Sequence, residues 1–415
     1  MVTLPAAERT GFSRDRITVA FYGTFVVWGW FLYSFNPSVP LLAQDLGVSD
    51  AQAGLHGTAM AAGTILAAFL TPRFVRWAGR RPALVSSLAL IACGVVALVL
   101  APALGWSLAA IFVVAVGGNV LISATQPGLA LRHGSASSAA LTEGNGVGSS
   151  VGLVGPLAVG ACVAVGWGWR PAVVVTSLLA LVSLGLYARI PVGGAMTPAR
   201  AEPVPAPAAT RAAPTRTALP AWCFLVCMVA GVAMEFATTY WATGLVIDQT
   251  DAGAGIAAAT TAGLVFGMSV IRFVVGPLSL RIAPTLLLAV AFAVAIGGWA
   301  ILWTATTPAM AMVGLVVSGL GYGAQYPLSV ALLLATAPHR PDATQARATL
   351  AVGLAIGVSP FALGALADEV GTHQAFLLVP VVALVGAVVA LIGGRAARRA
   401  VVPVDDPAPG VAAGR

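Results

Sequence analysis

Twelve apolar stretches recur along the chain, each long enough for a helix of about 20 residues to cross the hydrocarbon core of a bilayer. They lie near 17–40, 51–71, 82–101, 105–130, 138–165 and 170–189, and then near 219–247, 253–280, 284–304, 308–336, 346–366 and 373–394. Composition points the same way, with 59% of the 415 residues hydrophobic and only 8% charged. An ordinary globular protein carries about 25% charged residues. A water-facing surface cannot be built from so few charges, so the expected fold class is an all-α membrane protein. Disorder, coiled coil, collagen and small disulfide scaffolds are excluded.

All 21 Lys and Arg residues are Arg. P-loop ATPases, Schiff-base enzymes and pyridoxal enzymes need a lysine, so all three are excluded. As a membrane helix bundle the chain is expected to be no enzyme and to use no cofactor. The net charge of +7 is spread over short loops, which is not a nucleic-acid footprint. Cys93, Cys162, Cys223 and Cys227 lie in apolar runs and read as small buried hydrophobes. His56, His133, His339 and His373 have no metal-ligand spacing, so no metal site is expected. Gly148-Ser149-Ser150-Val151-Gly152 fits the hydrolase nucleophile pattern, but that chemistry needs a strand-to-helix elbow where this chain has a membrane helix.

Arginine placement sets the expected orientation, because positively charged loops stay cytoplasmic. Arg73, Arg76, Arg80 and Arg81 follow the second span, Arg132 the fourth, and Arg281 the eighth, whereas the opposite loops carry Arg170 alone beside Asp45, Asp50, Asp248, Asp251, Asp368 and Glu369. Both termini are therefore expected inside. The predicted organisation is a tail over 1–16, a six-helix bundle over 17–190, a Pro- and Ala-rich linker over 191–218, a second six-helix bundle over 219–394, and a tail over 395–415. The halves echo each other at an offset of 200, where Ser123-Ala124-Thr125-Gln126-Pro127 matches Gly323-Ala324-Gln325-Tyr326-Pro327. Gly155-Pro156 in the fifth span likewise matches Ser359-Pro360 in the eleventh, and kinks are predicted at Pro127, Pro156, Pro327 and Pro360.

The chain resembles the major facilitator superfamily. The loop after the second span ends in Gly79-Arg80-Arg81 as in that family, with Pro72 in place of its glycine and Arg76 in place of its aspartate. Val151 to Gly160, containing Gly152, Gly155 and Pro156, is similar to the antiporter motif of drug-exporting members, with two glycines replaced by valine. The resemblance implies twelve transmembrane helices in two pseudo-symmetric six-helix bundles. It also implies a monomeric transporter in a bacterial cytoplasmic membrane, working by alternating access on a small solute with protons as coupling ion. Gly79, Arg80, Arg81, Glu143, Gly155 and Pro156 become gating candidates.

In that family helices 1, 4, 7 and 10 line the cavity, and each carries a polar stripe here. The candidates are Tyr33 and Asn36 on the first, and Asn119, Ser123 and Gln126 on the fourth. Glu235, Thr238, Thr239 and Trp241 stand on the seventh, and Tyr322, Gln325, Tyr326 and Ser329 on the tenth. The alternative is interhelical hydrogen bonding without substrate contact, at about 1 kcal/mol or less each. Glu235 lies mid-helix and reads as a proton carrier. Arg272 in the eighth span is its candidate partner across an axial gap of about 10 Å, or else meets an anionic substrate, or snorkels to the interface. Export of a drug-like compound or metabolite by proton antiport is the first expectation. Proton-linked uptake of a sugar or small carboxylate is the alternative, favoured if Arg272 faces the cavity. A non-transporting receptor and the membrane half of an ATP-driven pump are the remaining classes.

Overall fold

The computed structural model describes residues 14–133, 137–190, 196, 218–279, 281–336 and 341–400. The first half comprises α1 (Arg16–Phe35), a 3-10 turn (Asn36–Ser38), α2 (Val39–Leu46), α3 (Asp50–Ala78), α4 (Arg80–Val99), α5 (Leu104–His133), α6 (Ser137–Gly152), α7 (Val154–Ala164) and α8 (Arg170–Ala188). The second comprises α9 (Ala218–Thr250), α10 (Ala254–Thr260), α11 (Ala262–Ser279), α12 (Pro284–Trp303), α13 (Pro308–Ala335), α14 (Pro341–Val370), α15 (Thr372–Ala375) and α16 (Leu378–Ala400). Among the described residues, eleven segments are long and apolar enough to cross a membrane. With its 28 residues, α13 spans about 42 Å and supplies a twelfth crossing.

Caps fix the helix starts. Asp15 accepts the Thr18 amide hydrogen to open α1, and Ser49 and Gln52 form a reciprocal capping box at the start of α3. Gly79 joins α3 to α4 at φ 93°, a left-handed geometry that a side chain resists. The intact Gly79-Arg80-Arg81 run therefore starts with a backbone requirement.

Helices α1 to α8 pack chiefly among themselves, with α5 against α3 and α4 and with α1 against α6 and α8. Helices α9 to α16 form the second bundle, in which α13 packs against α9, α11 and α12. The bundles meet where α3 lies on α14, where α7 lies on α10, and where the α1–α2 corner touches α9. With twelve crossings, the start of α1, the end of α8, the start of α9 and the end of α16 share one face. That side is called the terminal face here, and the other the far face.

The closest approaches between the bundles lie towards the far face. Gly54 sits against the backbone of Phe361 and Pro360, and Gly57 against the Ile356 carbonyl. A methyl on Gly255 would stand 2.6 Å from the Gly160 carbonyl oxygen, so only glycine permits this seat of α10 on α7. Asp368 accepts the backbone N–H groups of Asp50 and Ala51, both at 2.9 Å, closing the N-terminus of α3 from the other bundle. The structure is closed on the far face.

Several spans are interrupted. The fifth breaks at Leu153, between α6 and α7, three residues before Pro156 where the kink was expected; a proline removes the bond to the preceding turn, so the disruption falls upstream of it. The eighth breaks at Thr261, which the sequence reading did not foresee. Thr260 and Thr261 each donate a hydroxyl to a carbonyl three residues back, at 2.6 and 2.7 Å, and such back-bonding bends helices. Pro127, Pro327 and Pro360 lie inside continuous helices. The last helix runs to Ala400, past the expected boundary at 394, and carries Arg398 and Arg399 in its final turn, where the negative helix end favours cations.

Candidate functional site

The sequence candidates separate into three groups once folded. The first closes the far face. Asn36 donates to the Thr239 hydroxyl at 3.4 Å, linking α1 to α9, and the Phe35 and Tyr240 rings meet edge to face at 6.4 Å. The Trp241 indole N–H donates to the Pro360 carbonyl at 2.9 Å, tying α9 to α14. Asn36, Thr239 and Trp241 are buried. They form the sealed end of the interface in this conformation and do not line an open wall.

The second group is packed within one bundle. Thr238 and Tyr322 share a hydroxyl hydrogen bond of 3.0 Å between α9 and α13. Asn119 donates to Thr64 and to the Ala115 carbonyl, both at 2.9 Å, which ties α5 to α3. Gln325 and Ser329, expected on the cavity wall, are completely buried, and neither atom of the Gln325 amide nor the Ser329 hydroxyl has a protein partner. The i, i+4 spacing put them on one face, but that face is turned to α9. There Gly231 leaves room for the amide, and a methyl in its place would stand 2.9 Å from Gln325 Oε1.

The third group keeps some exposure, and of it Tyr33 and Arg272 stand where the halves meet. Glu235 and Tyr33 are half-buried, and Arg272, Ser123, Gln126 and Tyr326 are exposed. Arg272 reaches across from α11 to the first bundle. Its Nη1 donates to Ser149 Oγ on α6 at 3.2 Å, and the guanidinium interacts electrostatically with Tyr33 on α1. Glu235 on α9 lies within electrostatic reach of Arg272, Tyr33 and Tyr322. The two charges do not form an ion pair. The three ion pairs among the described residues are Arg14–Glu143, Arg132–Asp15 and Arg170–Asp45.

Ser149 was not among the sequence candidates, having been dismissed with the hydrolase pattern. Nothing in its spacing pairs it with a residue 123 positions away.

The gating candidates are placed as follows. Glu143 accepts two bonds from Arg14, at 2.6 and 2.9 Å, and thereby ties the chain ahead of α1 to α6. That carboxylate holds the Arg14 proton above its ordinary range. Arg80 is buried with its aliphatic stem against Gly128 of α5. Arg81 donates to the Ala188 carbonyl at 3.0 Å, satisfying the end of α8. Gly155 brings α7 onto the backbone of Tyr33 and Ser34, and Pro156 is buried beside it. Among the described residues no group of three or more His, Cys, Asp or Glu could hold a metal ion.

No curated protein matches the chain in sequence. Solved structures share its fold across nearly its full length. One is a bacterial homolog of the human lysosomal transporter Spinster, in an inward-facing and occupied conformation, with a TM-score of 0.73 and 16% identity over 94% of this chain and 99% of the other. A second is the nucleoside transporter NupG, with a TM-score of 0.74 and 10% identity over 91% and 98%. A third is a bacterial homologue of the human drug peptide transporters PepT1 and PepT2, with a TM-score of 0.69 and 16% identity over 93% and 98%. The Major Facilitator Superfamily profile matches residues 19–295 and 246–412. With twelve helical crossings in two bundles that meet around an accessible polar cluster, the chain belongs to the Major Facilitator Superfamily and has the fold of its transporters.

Proposed function

We propose that the protein is a proton-coupled secondary transporter that exports a small organic solute by alternating access, with Glu235 as its proton carrier. The observation that carries this reading is the Glu235 carboxyl group, half-buried in a membrane helix at the meeting of the halves, in no ion pair among the described residues. A carboxyl group so placed can take a proton from one side and release it to the other. The similarity of Gly152, Gly155 and Pro156 to the antiporter motif supports export.

A second reading is proton-linked uptake of a small carboxylate, favoured by the exposed guanidinium of Arg272 beside Tyr33 and Ser149.

The orientation proposed places the terminal face in the cytoplasm of a bacterial cell and the protein in its cytoplasmic membrane as a monomer. A reporter fused after Gly47 should then be external and one after Pro203 internal; the reverse result sinks this orientation.

The coupling test uses purified protein in proteoliposomes, with solutes first selected by thermal shift. An imposed pH gradient should drive solute against the proton flow in the wild type. Glu235→Gln should lose that flux entirely and retain solute–solute exchange, because glutamine keeps the shape and cannot release a proton. Flux running with the protons would favour uptake, and unaltered pH-driven flux in Glu235→Gln would remove Glu235 from the coupling role.

A further inference from the structure

Two opposite charges stand near one another at the meeting of the halves and do not neutralise each other. Glu235 and Arg272 interact electrostatically, and both act on Tyr33, yet neither belongs to an ion pair among the described residues. The guanidinium donates to Ser149 Oγ at 3.2 Å, with Tyr33 within electrostatic reach. Its planar fork carries five N–H donors, so these contacts leave donors over, and the residue is exposed. The Glu235 carboxylate accepts no hydrogen bond from a described residue, and the nearby Tyr322 hydroxyl is occupied by Thr238.

A charge held without a counter-charge inside a membrane protein is costly. Two such charges this close would lower their energy by pairing. Keeping them apart leaves an anion site and a cation site side by side, within electrostatic reach of Tyr33.

We propose that this site takes a small zwitterionic solute, with its carboxylate on Arg272 and Tyr33 and its ammonium group on Glu235. A bidentate guanidinium–carboxylate pair fixes one end of the solute. An ammonium group needs Glu235 ionised, so the solute and a proton on Glu235 exclude each other. The solute enters with no net charge, and a protonated Glu235 gives up its proton to solvent as the solute binds. The groups facing Glu235 are Arg272 from α11, Tyr33 from α1 and Tyr322 from α13, so Glu235 is the one carboxylate in the cluster. This inference rests on the transporter reading and names the class of its solute.

The test is binding to the purified full-length protein by isothermal titration calorimetry. The probes are L-phenylalanine, its N-acetyl derivative as the anion, and its amide as the cation, chosen because the three share one side chain and differ in charge. The zwitterion should bind at least about tenfold tighter than either singly charged analogue, and its affinity should rise with pH through the acid range as one proton is released. Glu235→Gln should bring the zwitterion down to the anion's affinity and leave the anion unchanged, whereas Arg272→Gln should bring it down to the cation's. Equal binding of the three probes, no binding of any, equal losses in both variants, or affinity falling as pH rises would each overturn the proposal.

Spin labels at Gln44→Cys and Glu369→Cys, in a background with the four native cysteines changed to alanine, read the far-face distance between the bundles. Probe binding can fail while that distance still changes between pH 5 and pH 8; the zwitterion proposal is then wrong and the transporter reading stands. A distance that never changes removes the transporter reading itself.

Discussion

The two halves are built on one plan and use their charges in opposite ways. All three ion pairs among the described residues lie in the first half, at its faces: Arg14–Glu143 and Arg132–Asp15 on the terminal face, and Arg170–Asp45 on the far face. Trp169 adds a 2.8 Å hydrogen bond to Asp45, and Arg170 lies 5.1 Å over the Trp169 ring. In the second half Glu235 and Arg272 stand where the halves meet, outside any such pair. The repeat-related positions Thr125 and Gln325 show the same contrast. Thr125 is buried against the Thr24 hydroxyl at 2.9 Å, locking α5 to α1, while the buried Gln325 amide between α13 and α9 has no protein partner. Both halves bury hydroxyls without a protein partner, Tyr22, Thr176 and Tyr187 in the first and Tyr240, Thr243 and Ser329 in the second, so the contrast lies in the charges, paired in the first half and unpaired in the second. A transporter needs both, because one rigid body must give the other something to move against.

The strongest way to break this comparison is at Asp368, where the second half supplies a charge to a helix of the first. Asp368→Ala removes two charge-assisted hydrogen bonds at the start of α3, worth about 1–3 kcal/mol together. The far-open population should rise about tenfold, measured by the label distance between positions 44 and 369. An unchanged distance distribution would show that the glycine contacts alone hold the far face shut.

A smaller effect of opposite sign in the two halves is expected at the repeat-related pair. Thr125→Val should lower the thermal midpoint, at a cost of about 1 kcal/mol, since Thr24 keeps its bond to the Phe21 carbonyl. Gln325→Leu should raise it by about 1–3 kcal/mol, because an unsatisfied buried amide is replaced by a side chain needing no partner. Destabilisation by Gln325→Leu would mean that the amide already has a partner, such as a buried water, and that the second half is as satisfied as the first.

The smallest effect belongs to His133 on the terminal face, 2.9 Å from the Thr18 hydroxyl. Burial and the neighbouring Arg132 hold its pKa below the ordinary 6.5. A histidine with a lowered folded-state pKa contributes stability above its unfolded pKa and loses it as pH falls through the folded value. Melting between pH 7.5 and pH 5 should therefore show a loss of less than about 2 °C that His133→Gln abolishes. An identical pH profile in the variant would assign the titration elsewhere.

The sequence by itself determined the architecture. Apolar runs of bilayer length admit only helices, the arginine pattern and the even span count imply that the ends share a face, and the offset of 200 declared the repeat. It also singled out Glu235, because a carboxyl group inside an apolar helix is conspicuous without any structure. Helical spacing could place Gln325 and Ser329 on one face, but not say whether that face meets solvent or α9. The meeting of Arg272 with Tyr33 and Ser149 and the latch of Asp368 on α3 join residues over 100 positions apart. Such contacts depend on how two bundles are seated on one another, through close approaches such as Gly160 on Gly255. Periodicity along a single helix carries no information about that seating, so tertiary packing alone decided it.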